Sequence, residues 1–441
     1  MNRRLPVAAG FLALIAAGAA LLAMPWARAD GAWGGALESL FTSFSAVCVT
    51  GLTVVDIGTT YSPAGLALLA VLVEIGCLGL MTCGTFLLVA IGRRLSLSRE
   101  FSLMNAYGAP GVRGLKGLAC WVVGSMLAIE AAGAVALYPH LGHAGKSAFY
   151  SIMAFCNAGF GLEPDSLAKF AGDTSFLMLM AAETILGGMG FLVIYNVCTR
   201  ACVPWRKGPR ASLSLHSRTV LRFTLWLLII GFAAFLATEW DGVLAGRPTG
   251  EKLAVGFYQA VTPRTCGFTV APVSDMNPLT RLFYVFLMAI GGGPGSAAAG
   301  MKVTTFAVLL YTIVAMCRGE QETVISRRVV PTEIVRESIV ILVALMGLVA
   351  LATGALLATE AAFVKAGAVG AEALFFEAVS AITTTGLSVE GTTEGLSSAG
   401  RCVVMAAMFA GRLGALTVVM MIGDRESRRH VRHPSGELVV G

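Results

Sequence analysis

Val49-Thr50-Gly51-Leu52, Asn157-Ala158-Gly159-Phe160, Thr265-Cys266-Gly267-Phe268 and Thr384-Thr385-Gly386-Leu387 are four versions of one short segment. Their glycines are separated by 108, 108 and 119 residues, a near-constant period that marks one structural unit used four times. Each copy follows a moderately apolar stretch too short to cross a bilayer and lies between longer apolar runs. Each unit is therefore expected to hold a short helix and a tight glycine turn between two spanning helices. The units divide as 1–108, 109–217, 218–330 and 331–441.

Composition sets the solvent. Hydrophobic residues make up 56% of the 441-residue chain, charged residues 13%, and mean hydropathy is +0.78, outside the habits of soluble domains. Candidate spans of about 20 residues lie at 6–26, 64–92, 117–138, 174–198, 219–238, 279–316, 337–358 and 400–423. The reading is an all-α, multi-pass integral membrane protein with no soluble domain. Basic clusters recur at Arg3-Arg4, Arg93-Arg94, Arg113 to Lys116, Arg200 to Arg222, Arg318 to Arg336 and Arg425 to Arg432, while the glycine-turn segments are poorer in Lys and Arg. By the positive-inside rule both termini are cytoplasmic and the turns open outward. The net charge of +6 then marks topology and calls for no nucleic-acid partner. Arg3-Arg4, an apolar core and Ala27-Arg28-Ala29 resemble a secretory signal. Cleavage there would strip the first unit of its leading helix, so the segment is read as a span.

Four such units around one axis would form a pore lined by backbone carbonyls, as in a potassium-channel pore unit. Potassium must exchange its water shell for oxygens, and aiming successive carbonyls inward needs backbone angles that glycine tolerates best. Gly51, Gly159, Gly267 and Gly386 are the expected filter glycines. Val49 and Thr50, Asn157 and Ala158, Thr265 and Cys266, and Thr384 and Thr385 would add further carbonyls. Asp56, Glu163, Asp165, Asp275 and Glu390 follow the turns and would concentrate cations in an outer vestibule. The ten cysteines show no pairing pattern or metal-type spacing and read as small hydrophobes. The five histidines lie in loops or the tail, and no nucleophile–base pair suggests an enzyme. No phosphate-binding glycine motif is present either, so no cofactor is expected in this chain.

A second repeat lies 24 to 28 residues beyond each turn glycine. It comprises Ile75-Gly76-Cys77-Leu78-Gly79, Leu186-Gly187-Gly188-Met189-Gly190, Ile290-Gly291-Gly292-Gly293-Pro294-Gly295 and Ala410-Gly411-Arg412-Leu413-Gly414. In units one, two and four it reads as a helix-packing face. The third copy continues through Ser296 to Gly300 as GGGPGSAAAG, which cannot stay helical. Irregular backbone at membrane depth survives only where protein buries it or water lines it, so 291–300 is the expected gate. Glu74, Glu130, Glu183, Lys302 and Arg412 are costly within the bilayer and should be functional or paired. Lys302 would anchor the gate or snorkel, and Arg264 is expected to brace the third turn through a salt bridge.

SAVCVTGLTVVD, FCNAGFGLEPDSL, VTPRTCGFTVAPV with IGGGPGSAAAGMKVTTFAVLL, and SAITTTGLSVEG with FAGRLGALTVVM resemble the Trk/Ktr/HKT superfamily of cation transporters, most nearly its Ktr-type membrane subunit. The resemblance runs end to end and implies four concatenated pore repeats and potassium uptake across the cytoplasmic membrane. It also implies a third-unit gating loop and a homodimer seated on a cytosolic nucleotide-binding ring. In that family an arginine matching Arg412 projects beneath the filter, and a serine at the first filter glycine accompanies sodium permeation, so Gly51 favours potassium. Glu74 departs from the amide expected there. Possible activation by sodium stays open, as does a sodium-permeable or sodium-coupled member. A secondary transporter with a midplane site would need corresponding broken helices, whereas only unit three looks broken in sequence.

Overall fold

The computed structural model describes residues 5–90, 114–202, 213–367, 369–389 and 391–414. Unit one comprises α1 (Leu5–Leu22), α2 (Ala36–Cys48) and α3 (Pro63–Ala90). Unit two comprises α4 (Gly114–Leu141), α5 (Ala144–Phe155), α6 (Thr174–Met189) and α7 (Phe191–Cys202). Unit three runs through α8 (Leu215–Glu239), α9 (Thr249–Val261), α10 (Pro278–Ala289) and α11 (Val303–Cys317), and unit four through α12 (Thr332–Thr359), α13 (Ala371–Thr383) and α14 (Ser398–Leu413). The second position of every unit is a 12- or 13-residue helix that stops at the glycine turn. At about 1.5 Å per residue, such a helix covers only part of a bilayer. A two-residue hairpin, Val324–Ile325 with Arg328–Val329, joins units three and four.

Within each unit, polar side chains tie the C-terminal end of the first helix, or the residues just past it, to the start of the post-turn helix. Ser62 Oγ donates to Trp26 O at 2.8 Å, and the His140 ring lies 2.6 Å from Asp173 Oδ2. Glu239 accepts from Asn277 N at 2.8 Å, and Glu360 accepts from Ser397 N at 3.3 Å. Glu239 and Glu360 are each 1% exposed. Buried carboxylates need such donors to offset lost hydration. The core then joins the units: Tyr150 of α5 stacks toward Phe268 beyond the third turn, with ring centroids 5.9 Å apart, while its hydroxyl accepts from Leu162 N.

Three described helices, Cys120–Leu141, Leu215–Glu239 and Thr332–Thr359, are long and apolar enough to cross a membrane unbroken. The post-turn spans differ from the sequence expectation. Residues 174–198 form α6 and α7, bent by 102° at Gly190. In α3 the backbone leaves helical geometry at Gly79, with φ −5° and ψ −132°. The 279–316 span is two helices separated by residues 290–302, and α14 ends at Gly414 with φ 83°. Breaks therefore occur in units one and two as well as three, which corrects the expectation that unit three alone is broken. Single glycines produce them, and within an apolar run these look identical to glycines that serve packing.

The two roles separate in space. A Cβ on Gly76, Gly187 or Gly411 would lie 2.2, 1.8 or 1.9 Å from the carbonyl oxygens of Val47, Phe155 or Ile382, at the ends of α2, α5 and α13. Each post-turn helix thus presses its bare Cα against the last turn of its own short helix. In unit three a Cβ on Gly291 would instead meet Ala299 O at 1.8 Å, inside the irregular 291–300 segment itself. Gly187→Ala and Gly411→Ala should each destabilise the protein by about 1–3 kcal/mol through overpacking. Thermal melting in detergent should report a lowered midpoint for both, and none for Gly354→Ala on α12, where a Cβ meets open space.

Candidate ion pathway

Each turn begins with a non-glycine residue in the left-handed region: Val49 at φ 56°, Asn157 at 56°, Thr265 at 65° and Thr384 at 48°. Gly51, Gly159, Gly267 and Gly386 follow at φ 89°, 68°, 84° and 84°. Left-handed backbone on Val and Thr is costly, and it persists only where surrounding structure enforces it. The enforcing bonds run backward. Thr50 N donates to Ser45 O at 2.8 Å, Ala158 N to Met153 O at 2.9 Å, and Thr385 N to Ser380 O at 2.9 Å. Cys266 N reaches Thr262 O at 3.1 Å. These are helix C-cap bonds, with a left-handed residue just past the helix end. With the N–H groups so used, the carbonyls face the other way. Among the described residues, those of Thr50, Ala158, Cys266 and Thr385 accept no hydrogen bond.

The four turns close into a ring. A Cβ on Gly51 would lie 2.2 Å from Ala158 O, one on Gly159 2.8 Å from Cys266 O, one on Gly267 2.7 Å from Thr385 O, and one on Gly386 2.1 Å from Thr50 O. The contacts run one to two, two to three, three to four and four to one. Side chains buttress the turns from behind. Ser45 Oγ accepts from Gly51 N at 3.0 Å, and Thr184 Oγ1 lies 3.3 Å from Cys266 Sγ. The Asn157 amide sits 2.9 Å from Ala154 O and 3.1 Å from Thr184 O. Gln259 Nε2 donates to Thr269 Oγ1 at 3.1 Å.

Outside the ring lies a cavity of about 220 Å³ lined by all four glycines together with Asp56, Glu163 and Glu394. Asp56 and Glu163 were expected there, whereas Asp165 and Asp275 do not line it. Glu390 lies outside the described residues. Glu394, not among the residues expected from sequence, sits in a separate helical turn, Thr392–Gly395, and folding brings it to the ring. Glu163 is partly neutralised by Lys169, and Lys146 Nζ lies 3.8 Å away.

Beneath the ring is a second cavity of about 400 Å³, lined by Cys77, Phe155, the 295–300 segment, Lys302 and Arg412. Residues 291–300 form an irregular strap docked on the bend of unit two. Gly293 N donates to Gly188 O at 2.8 Å, Ala297 N to Gly187 O at 3.3 Å, and Phe191 N to Gly295 O at 3.1 Å. The approach demands glycine on both sides: a Cβ on Gly292 or Gly293 would meet Gly188 O or Met189 O, and one on Gly190 would meet Pro294 O at 2.6 Å. Backbone groups freed by one break are thus satisfied by the other, as a membrane interior requires. Ser296 Oγ is buried without a partner. Arg412 Nη1 donates to Ala297 O at 2.8 Å and Nη2 to Gly76 O, while Lys302 Nζ donates to Ala298 O. Both cations are held by carbonyls.

Arg264 departs from expectation. Its Nη2 donates to Gly291 O at 3.4 Å, its Nε has no partner, and among the described residues it makes no salt bridge. It joins the third turn to the start of the strap, where carbonyls are the acceptors in reach. Glu183 accepts from Ser151 Oγ at 2.8 Å, and the same hydroxyl lies 2.8 Å from Glu130 O.

The family model for TrkH, described as cation transport protein, matches residues 3–432. The chain is 34% identical over 447 residues to the Ktr system potassium uptake protein B of Bacillus subtilis, covering 99% of this chain and 96% of that one. It is 32% identical to the potassium/sodium uptake protein NtpJ of Enterococcus hirae, over 99% and 96% of the two chains. Its fold matches the crystal structure of the potassium transporter TrkH from Vibrio parahaemolyticus with a TM-score of 0.75, over 96% of this chain and 85% of that chain at 17% identity. These likenesses set it among membrane transport proteins and not among enzymes. Gly386→Ala and Gly51→Ala each add a Cβ inside the van der Waals radius of a facing carbonyl in a strained turn. Rubidium flux through the purified variants should fall at least about tenfold, the rate equivalent of about 1.4 kcal/mol, while Gly354→Ala on α12, where a Cβ meets open space, retains it.

Proposed function

We propose that this chain, which belongs to the TrkH family of cation transport proteins, admits potassium to the cell through the ring of four turns. The observation that carries this reading is the closed cycle of carbonyl–glycine contacts from Gly51 through Gly159, Gly267 and Gly386. Oxygens of Thr50, Ala158, Cys266 and Thr385, with those of the flanking Val49, Asn157, Thr265 and Thr384, are the groups that would replace water around a bare cation. The names of the B. subtilis and E. hirae relatives agree on potassium as cargo.

In this mechanism the outer carboxylates of Asp56, Glu163 and Glu394 raise the local cation concentration. The ring strips water, and an inside-negative potential drives each charge by about 2.3 kcal/mol per 100 mV. Uptake needs no other energy source. The strap from Gly291, Gly292, Gly293, Pro294 and Gly295 to Ser296 closes the path below, with Arg412 and Lys302 adding positive charge to the lower cavity. We assign one pore unit to each of 1–108, 109–217, 218–330 and 331–441. The turns face outward and both termini lie in the cytoplasm of a cell whose plasma (inner) membrane holds the protein. Two copies would pair in the lipid. A cytosolic nucleotide-binding subunit, in keeping with the word "system" in the relatives' name, would dock on the basic segments 200–222 and 318–336.

A second reading, permeation or activation by sodium, draws on the name of the E. hirae relative. The breaks at Gly79 and Gly190 do not favour a midplane-site transporter. The bend at Gly190 is covered by the strap, with Gly293 N and Ala297 N donating to Gly188 O and Gly187 O and Phe191 N donating to Gly295 O.

Rubidium, potassium and sodium uptake should be compared in proteoliposomes under an imposed inside-negative potential. Rapid potassium and rubidium uptake with little sodium, lost in Gly267→Asp, is expected. Arg412→Ala should raise potassium flux several-fold, because it removes both a charge and the tether between α14 and the strap. Equal sodium uptake would replace the potassium reading with the sodium one.

A further inference from the structure

Beside the second turn, the packed helices of units one and two enclose a chemically distinct cluster. Glu74 on α3, Glu130 on α4 and Cys156 just past α5 place one ligand atom each within 4.8 Å of one another. Cys156 Sγ lies 3.7 Å from Glu130 Oε1, and Cys77 lies one helical turn beyond Glu74 on α3. Glu130 is 5% exposed, and its second oxygen, Oε2, is fully buried without a partner. Cys156 is completely buried and Glu74 half-buried.

Two carboxylates in contact in a low-dielectric interior cannot both remain charged without something positive between them. Among the described residues no basic side chain supplies it: Arg412 is committed to Ala297 O and Gly76 O, Lys302 to Ala298 O, and Arg264 faces Gly291 O. A proton would answer the carboxylates but leave the thiols unexplained. Sulfur beside carboxylate oxygen is the donor set of a borderline-soft divalent ion such as zinc or cadmium, not of potassium, sodium or magnesium. Tetrahedral zinc, with ligand bonds of about 2.0–2.3 Å, wants donors about 3.3–3.8 Å apart. The observed cluster needs only a small contraction. An access route exists as well, since Cys77 also lines the lower cavity beneath the ring.

We propose that Glu74, Glu130 and Cys156, with Cys77 adjacent, form a binding site for a zinc-like divalent cation that restrains ion flux. Binding displaces the proton held between the carboxylates, and that of a ligating thiol, into the lower cavity. No bond other than those to the metal is made. The ion would clamp α3 and α4 to the C-terminal end of α5, directly before the second turn, and place positive charge beside the permeation path. The site does not depend on which monovalent cation the ring prefers.

The test uses the full chain, with cadmium as probe. In detergent, cadmium binding through sulfur is read from its thiolate charge-transfer absorbance in the ultraviolet. In proteoliposomes, rubidium flux is titrated with cadmium and zinc, and with magnesium as a hard-cation comparison. We expect micromolar cadmium and zinc, but not magnesium, to reduce wild-type flux. The absorbance should vanish in Cys156→Ser, and apparent cadmium affinity should fall at least about tenfold in Glu130→Gln and Glu74→Gln. Cys402→Ser, at an exposed position on α14, should bind as the wild type does. Glu74→Gln, at the half-buried position, serves if the more buried variants do not fold. Absorbance that survives Cys156→Ser, affinity unchanged by Glu74→Gln, or flux indifferent to both metals would overturn the site. Flux indifferent to metal yet varying with pH in a Glu74-dependent way would assign the cluster to a shared proton instead. The absorbance needs no transport, so a failed site and a failed transport reading remain distinguishable.

Discussion

A carbonyl oxygen pressed against a bare glycine Cα is the contact on which the rest of this structure depends. It appears twice in each regular unit. One set joins Gly76, Gly187 and Gly411 to the ends of the short helices at Val47, Phe155 and Ile382. The other joins each turn glycine to the carbonyl of the next unit. The first set fixes where the short helices end, and the C-cap bonds then aim the N–H groups backward and leave the carbonyls free. The second set closes the ring. Substituting any of these glycines pushes apart two pieces of backbone, which have no rotamer to relieve the strain. Small residues at helix contacts in lipid usually serve close approach alone. Here they also position unpaired oxygens, the feature an ion path requires.

Unit three uses the same length of chain differently. Its counterpart of the packing glycine, Gly291, turns inward against Ala299 O, and the following residues leave the helix to dock on the unit-two bend. The bend at Gly190 and the strap at 291–300 are complementary halves of one device. The strap's N–H groups at Gly293 and Ala297 satisfy carbonyls of α6, and the first N–H of α7 satisfies Gly295 O. Neither interruption would be stable in lipid without the other. Movement of the strap therefore implies movement of α7, and the two should be treated as one element.

Much of this was legible in the chain because periodicity is a global signal. Four glycines at spacings of 108, 108 and 119 residues fix the unit, and GGGPGSAAAG has no helical alternative. What escaped was local or three-dimensional. Gly79 and Gly190 break their helices, while Gly76 and Gly187, three residues earlier in each case, do not. Nothing in residue type separates them, since the distinction lies in which backbone each one faces. The acceptors of Arg264 are carbonyls, which sequence does not display, so a carboxylate partner was the natural and mistaken expectation. Glu239 and Glu360 belong to no sequence motif, yet each is 1% exposed and accepts from the backbone N–H just before the post-turn helix of its own unit. The cysteines read singly as small hydrophobes, and only folding brings Cys156 to Glu130 and Glu74.

The distribution of charge follows a logic of its own. Acidic groups line the outer cavity at Asp56, Glu163 and Glu394, while Arg412 and Lys302 line the inner one. A cation travelling the proposed path moves from an attractive field, through neutral oxygens, into a repulsive one. Interior charges couple strongly because the surroundings screen them poorly. Arg412 is held in place by Gly76 O of unit one and Ala297 O of the strap, so its position reports on both. Withdrawal of the strap would take one of its two acceptors away and free the guanidinium to follow. The same motion would thus open the lower cavity and remove the charge that opposes permeation. Steric and electrostatic gating would then be a single event, because one side chain carries both.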